Sequence, residues 1–532
     1  MNSIFDRLDP DAKVPEAVVP PRDIVADEKR RADNLMSWGV AFALSTVAIL
    51  THYFLYSSDD LYMSTLSNSV AQISVEQASN GRFTSWFVLS NLEALGFSYG
   101  TYVIVSGVAF AYTSAWLLQE VFAFGRIDSL RARVVGSALY LTFGFNLDLY
   151  QSKDVYLSFA LAFGFAALAL RIGRTQVEAW LRFVGAAICI MLSLGSYQAS
   201  AQILILAIGV WALSQLIDDE RGGAERAAWP IVPAGATGVV AYVVVNKFLE
   251  LFQVGGPEAF ASFPGRHPSG LQNVATNAGK YLNTIAELLS PTTSVYFPLT
   301  NPVLSAGYGA LLLVALILFT YRAGSIAKKC AVWGVVIGAL LCAPNPANLA
   351  MPAYWPSARS VAGIAIFFAG VAALLLDRLA PPRGGSPILA RAITHLLLAL
   401  ISVQTFSDAY VLGRRAIQQQ TDFVLAQQIV ADIERLRPET GTPITAYVAQ
   451  SWNANLIYRN VPFGFGAGLF DTDWSAPALL TLVSGGAVVG KWQDRAACAA
   501  VKSSVAPVIT VQSEGEVSVC LPLRRIGSGT TD

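Results

Sequence analysis

The sequence predicts an all-α polytopic membrane protein of about 11 transmembrane helices, followed by a small exported α+β domain. Three observations carry this. The 532 residues are 54% apolar and only 14% charged, against about 25% charged in a soluble chain. The apolar residues cluster into separate stretches, such as Val40 to Ala48 and Leu311 to Phe319. The composition turns to that of an ordinary soluble domain only at the C-terminal end.

Several classes are excluded at once. Five cysteines are too few for a disulfide scaffold, and three histidines are too few for a histidine-built metal site. The 36 basic and 36 acidic residues cancel, so nothing points to nucleic acid as a partner. The lipid bilayer is the expected surrounding.

Residues 1–36 read as a retained polar tail ending in Lys29, Arg30 and Arg31. A cleaved signal peptide would carry its apolar run nearer the start. Spans are expected at 37–56, 98–120, 134–150, 154–171, 182–197, 199–217, 229–250, 303–321, 330–343, 360–377 and 392–411. Several fall short of the ~20 residues that cross a bilayer, so breaks or re-entrant pieces are expected.

Charge orients these spans. With the tail cytoplasmic, the inner segments hold 20 basic residues, including Arg126, Arg131, Arg133, Arg171, Arg174, Arg322, Lys328, Lys329 and Arg378. The outer segments of the 37–412 membrane domain hold five, Arg82, Lys153, Arg266, Lys280 and Arg359, or six with Lys247. That bias sets the N-terminus inside and the C-terminus outside. It leaves three long exported loops, 57–97, 251–302 and 344–359.

Residues 413–532 then form the periplasmic C-terminal domain. It opens with a helical stretch from Ala416 to Leu436, and strand-like runs follow at Ile444–Val448, Val508–Val511 and Val517–Leu521. A Gly-rich turn occupies Phe463 to Leu469. Cys498 and Cys520 both lie here, and an oxidising compartment would allow them to pair; two buried free thiols are the other reading.

The residues that could carry chemistry sit at the outer ends of spans. Asp59 and Asp60 follow the first span directly, where a carboxylate could act as general base toward an acceptor hydroxyl. An interfacial cap is the plainer role. Arg82, after Asn80-Gly81 and before Phe83-Thr84-Ser85-Trp86-Phe87, could grip a phosphate or pair with those carboxylates. Asn146, Asp148, Gln151, Lys153 and Asp154 form a dense polar crossing; Lys153 is a second phosphate candidate and Asp148 a sugar contact. Tyr197 and Gln198, in Ser193-Leu194-Gly195-Ser196-Tyr197-Gln198-Ala199-Ser200, are sugar or acceptor candidates, while Ser193 and Ser200 fit interhelical bonds equally well. Arg359, at the mouth of the tenth span after Pro344-Asn345-Pro346, is an anchor or a third phosphate ligand. His52, His267 and His395 are scattered and read as packing residues. No Gly-rich nucleotide-binding motif is present, so an activated donor would have to arrive through the membrane.

In combination, Ser58-Asp59-Asp60, Asn80-Gly81-Arg82 and the Ser193–Ser200 run resemble the Gtr-type glucosyltransferases of bacteria and their phages, which decorate O-antigen. The departures are Asn80, where that family tends to have an acidic residue, and Phe83, where proline is common. The resemblance implies a GT-C-like fold and a polyprenyl-phosphate-linked sugar donor such as the glucosyl lipid. It also implies a polysaccharide or lipid-linked glycan acceptor and inverting transfer on the periplasmic face of the inner membrane. Asp60 or Asp59 would be the base, with Asp60 slightly favoured, and Arg82 with Lys153 or Arg359 would receive the phosphate charge. No metal or other cofactor is expected. A lipid-linked glycan flippase would want a polar path through the membrane and matching charges in two repeats, which the sequence does not show. A non-enzymatic subunit of a glycan assembly complex is the third class.

The charge bias makes the topology testable. A reporter active only outside the cytoplasm, fused after Leu436, should be active; silence there with an active cytosolic reporter would invert the orientation.

Overall fold

A segment in lipid has no water to satisfy its backbone, so apolar stretches of span length fold as helices. The computed structural model describes residues 24–144, 146–218, 230–252, 271–289, 302–350, 354, 358–379, 387–436, 442–449, 469–470, 474–494, 497–498, 507–513 and 515–521. Among these the chain is mostly helical, with one small sheet near its C-terminus.

The helices run α1 (Ile24–His52), α2 (Ser58–Thr65), α3 (Ser69–Ser79), α4 (Phe83–Ala94), α5 (Tyr99–Phe124), α6 (Leu130–Leu141), α7 (Asn146–Gln151), α8 (Tyr156–Arg174) and α9 (Ala179–Ser196). They continue as α10 (Ser200–Ile217), α11 (Ile231–Leu251), α12 (Leu271–Leu289), α13 (Pro302–Arg322), α14 (Ile326–Leu341), α15 (Ala358–Val361), α16 (Ile364–Leu379), α17 (Pro387–Leu436) and α18 (Ser475–Val483). Eight helices among the described residues are long and apolar enough to cross a membrane: α1, α5, α8, α9, α10, α11, α13 and α17. The other three expected spans form shorter helices, with 134–150 broken between α6 and α7, 330–343 lying in α14, and 360–377 lying mostly in α16. The break has a local cause. Asn146 donates its side-chain N–H to the Tyr140 carbonyl, which satisfies one of the groups that ending α6 leaves open.

The bundle is close-packed on small residues. Alanines such as Ala115, Ala162, Ala166, Ala207 and Ala369 are buried and let α5, α8, α10 and α16 approach one another. The lipid-length helices keep large apolar side chains outward, among them Val240, Val244, Leu313 and Ile317. Residues 251–302 lie largely outside the described residues, but α12 within them is amphipathic. Its buried face holds Asn277, Tyr281 and Thr284, and the Tyr281 hydroxyl donates to the Leu341 and Pro344 carbonyls.

The first segment expected to be exported is itself folded, as α2, α3 and α4. Gly81 makes the turn between the last two. Its φ is +70°, and a Cβ there would meet the Asn246 side chain at 2.8 Å. Gly195 has a matching role, since a Cβ on it would run into the Phe83 ring. These two glycines let α4 dock on the C-terminal end of α9.

Two readings of the C-terminal region change. The expected span 392–411 and the helical stretch Ala416 to Leu436 are one continuous helix, α17, of 50 residues. At 1.5 Å per residue it is about 75 Å long, well beyond the ~30 Å of hydrocarbon it would cross. No proline interrupts it, so the membrane bundle and the C-terminal domain share a rigid strut. The sheet contains β1 (Ile444–Ala449), β2 (Val488–Trp492), β3 (Val508–Ser513) and β4 (Glu516–Cys520), in the order β2-β1-β4-β3. β1 pairs parallel with β2 and β4, and β3 closes antiparallel on β4. Strand β2 and helix α18 were not expected, because Gly490 interrupts the strand signal and α18 has only nine residues. Residues 463–468 of the Gly-rich turn lie outside the described residues.

Cys498 and Cys520 are disulfide-bonded, with Cα atoms 5.5 Å apart and a sequence separation of 22. A loop of that size stabilises a domain by about 3 kcal/mol through the entropy it removes from the unfolded chain. Replacing both by Ser should lower the melting temperature of the C-terminal domain by several degrees, and unreduced peptide mass spectrometry should recover the linked pair. An unchanged melting temperature would contradict this stabilisation.

Candidate active site

Asp60 is at the third position of α2 and is completely buried. A buried carboxylate persists only if its lone pairs are filled. Here Ser57 N–H donates to Oδ2 at 3.1 Å, while Tyr99 hydroxyl and Asp154 N–H donate to Oδ1 at 3.1 and 3.2 Å. Lys153 Nζ lies 3.9 Å from Oδ2. The Asp60 N–H returns a bond to Ser57 Oγ, which completes a capping box at the start of α2. One carboxylate thus ties together the end of the first span, the start of α5 and the turn Lys153–Val155 before α8.

Asp59, its neighbour, points elsewhere. It is partly exposed, and its Oδ1 accepts a hydrogen bond from Trp474 Nε1 at 3.0 Å. Helix α2 packs against α18, and Leu61 on α2 joins the apolar core of the C-terminal domain. The two adjacent aspartates therefore differ sharply in surroundings, which their sequence does not show.

Arg82 begins α4. Its guanidinium donates to Gln77 Oε1 at 2.9 Å and to Gln198 Oε1 at 3.4 Å, and stands 4.5 Å over the Tyr197 ring. Gln198 in turn donates to the Asn80 carbonyl and to the Tyr242 hydroxyl, fixing the Asn80-Gly81-Arg82 turn onto the C-terminal end of α9. Tyr197 occupies the break between α9 and α10 with an extended backbone, and packs edge-on against Phe159.

Arg359 reaches the same place from α15. Its backbone N–H donates to Asp148 Oδ2 at 3.0 Å, its Nε is 3.4 Å from that oxygen, and another guanidinium nitrogen donates to Ser152 Oγ at 3.0 Å. Arg359 and Tyr197 line one crevice, whose remaining walls, such as Leu149, Phe159, Phe163 and Ile203, are mostly apolar. Burial works against the Arg359 charge, but Asp148, Tyr197, Asp154 and Asp59 together raise its pKa above the ordinary value.

Lys153 is on the other side of Asp60. Its ammonium donates to the Leu55 carbonyl at 2.7 Å and lies 4.9 Å from the Tyr56 ring centre. It is buried, and it faces Asp60, Tyr53 and Tyr56. Asp148 likewise holds Arg359 instead of facing open space. Ser193 bonds to the Ala162 carbonyl and to Ser200, an interhelical role. Gln202 accepts from Gly363 N–H at 3.1 Å and donates to Cys342 carbonyl at 3.0 Å, pinning the start of α16.

Asp154 has a larger part than its place in a polar turn indicates. Its Oδ1 is buried with no hydrogen-bond partner, and Asp59, Asp60 and Glu76 all act on it electrostatically. Trp474 was invisible to local reasoning, being 415 residues from the aspartate it touches.

The family model for glucosyl transferase GtrII matches residues 47–368, more than half of the chain. The chain belongs to the GtrII glucosyl transferase family. The GtrII match runs from α1 into α16, so it spans Asp59, Asp60, Arg82, Asp148, Lys153, Tyr197, Gln198 and Arg359. Membership makes this GtrII chain a glycosyltransferase, and its long apolar helices make it a membrane protein. No match was found among curated proteins or among solved structures.

The unequal settings of the two aspartates predict unequal variants. Asp60→Ala leaves buried donors and Lys153 without their acceptor and should destabilise the protein by about 3–5 kcal/mol. Asp59→Asn keeps shape and an acceptor for Trp474, so its stability should stay within about 0.5 kcal/mol of the parent. Thermal unfolding in detergent reads both; equal melting temperatures for the two variants would reject the distinction.

Proposed function

We propose that this chain transfers a hexose, glucose by its family, from polyprenyl phosphate to a surface or lipid-linked polysaccharide such as O-antigen. On this reading it works at the periplasmic face of the bacterial inner membrane, with about eleven spans in a GT-C-like arrangement. The observation that carries the reading is that Tyr197 has the Arg82 guanidinium over its ring and shares a crevice with Arg359, on which Asp59 also acts.

The chemistry follows from charge. Asp59 takes the proton from an acceptor hydroxyl, whose oxygen forms a new bond to the anomeric carbon. The bond from that carbon to the lipid phosphate oxygen breaks, and the phosphate leaves with the electron pair. Attack from the face opposite the leaving group inverts the anomeric centre. Arg82 and Arg359 receive the developing phosphate charge, and because each is already held by neighbours, little reorganisation is needed. Asp60 and Lys153 hold the frame, Asp148 positions Arg359, and Gln198 positions Arg82.

Purified protein in liposomes, given polyprenyl-phosphate hexose and an acceptor glycan, should release polyprenyl phosphate without ATP or an ion gradient. Asp59→Asn should slow single-turnover transfer by ~10² or more while donor affinity survives. Arg82→Ala and Arg359→Ala should weaken donor binding, slow transfer, or both. Near-normal transfer by Asp59→Asn would remove it as the base.

A further inference from the structure

We propose that the C-terminal domain supplies an acceptor-glycan subsite built on the indoles of Trp474 and Trp492, beside Asp59; this rests on the transferase reading above. Both tryptophans lie beyond residues 47–368, so the family match assigns them nothing. Trp474 donates to Asp59 Oδ1, yet is 46% exposed; Trp492 is 36% exposed at the end of β2. An exposed indole hydrogen-bonded to the proposed base is a recognition surface before it is a core.

The fold brings the two to one end. Helix α18 runs away from Trp474, turns at Gly485 and Gly486, and β2 returns along it. Gly490 fixes the register: its N–H donates to Thr481 Oγ1 at 2.9 Å, and a Cβ on it would run into the Pro477 backbone. Two more strand residues at about 3.3 Å each carry Trp492 back by some four helical residues, to the first turn of α18. That end of α18 is the one where Trp474 meets Asp59 on α2.

The ligand class follows from this adjacency. An acceptor hydroxyl must come within about 3 Å of the base to lose its proton. The Trp474 ring is hydrogen-bonded to that same carboxylate, so the molecule bearing the hydroxyl has to lie against the indole. A pyranose has C–H faces that stack on an aromatic ring and a rim of hydroxyls that stay wet, which suits half-exposed indoles. Trp474 is thus a positioning residue for Asp59 and a wall for the acceptor; Trp492 is a second platform for a neighbouring sugar.

The test uses surface glycan released by mild acid from the cells that make the protein, titrated calorimetrically against the full-length Asp59→Asn protein, which binds without turnover. Trp492→Ala and Trp474→Ala should each weaken glycan binding by ~10-fold and raise acceptor KM on the Asp59-bearing protein, without loss of donor affinity. Trp474→Phe keeps the ring and loses the N–H, so it should restore glycan affinity but lower kcat. Trp333→Phe, on an exposed face of α14, is the control and should change nothing. Unchanged glycan affinity and KM in both Ala variants, with the Cys498–Cys520 bond intact, would overturn the subsite while leaving the transferase reading standing. Tryptophan-dependent glycan binding without any hexose transfer by the Asp59-bearing protein would support the subsite and defeat that reading instead.

Discussion

The candidate site of this protein depends on one buried carboxylate. Asp60 has no contact with solvent, and a charge in that position is tolerated only because Ser57, Tyr99 and Asp154 donate to it and Lys153 stands near. Those donors come from three separate parts of the chain. Meeting the demand of Asp60 therefore fixes α2 relative to α5 and α8, and with it the direction in which Asp59 points. The long helix α17 reinforces the same spot, since Arg415 donates to the Tyr56 carbonyl and Gln419 accepts from the Tyr56 N–H.

The cations are held in the same manner. Arg82 and Arg359 arrive from segments far apart in sequence, each oriented by its own neighbours: Gln77 and Gln198 for one, Asp148 and Ser152 for the other. Tyr197, at the break between α9 and α10, is common to both. Positive charge fixed in advance at a membrane surface suits a reaction in which a lipid phosphate departs, because the field is present before the bond breaks.

Much of the fold was legible from composition. Apolar runs gave the helices, and the alternation of basic residues gave an expected orientation, since both follow from the bilayer as solvent. Asp59, Arg82, Tyr197 and Arg359 stood out as polar groups where polarity is costly. What the sequence hid was long-range. Nothing local separates Asp59 from Asp60; that donors fill the lone pairs of Asp60 while Asp59 stays partly exposed depends on residues distant in sequence. Lys153 read as a phosphate ligand because its ties to Leu55 and Asp60 cross nearly a hundred residues. The unbroken α17 was divided because a change of composition suggested a boundary that helix geometry does not require.

The C-terminal domain is thereby packed against the candidate site instead of hanging as an appendage. Leu61 is shared with its core and Trp474 with Asp59, so the domain and α2 are one packed unit. The most direct test is a structure of the protein with a non-hydrolysable polyprenyl phosphonate hexose bound. The account predicts the phosphonate between Arg82 and Arg359 at Tyr197, with the anomeric carbon turned toward Asp59. A phosphonate seated at Lys153, or anywhere out of reach of both arginines, would contradict it.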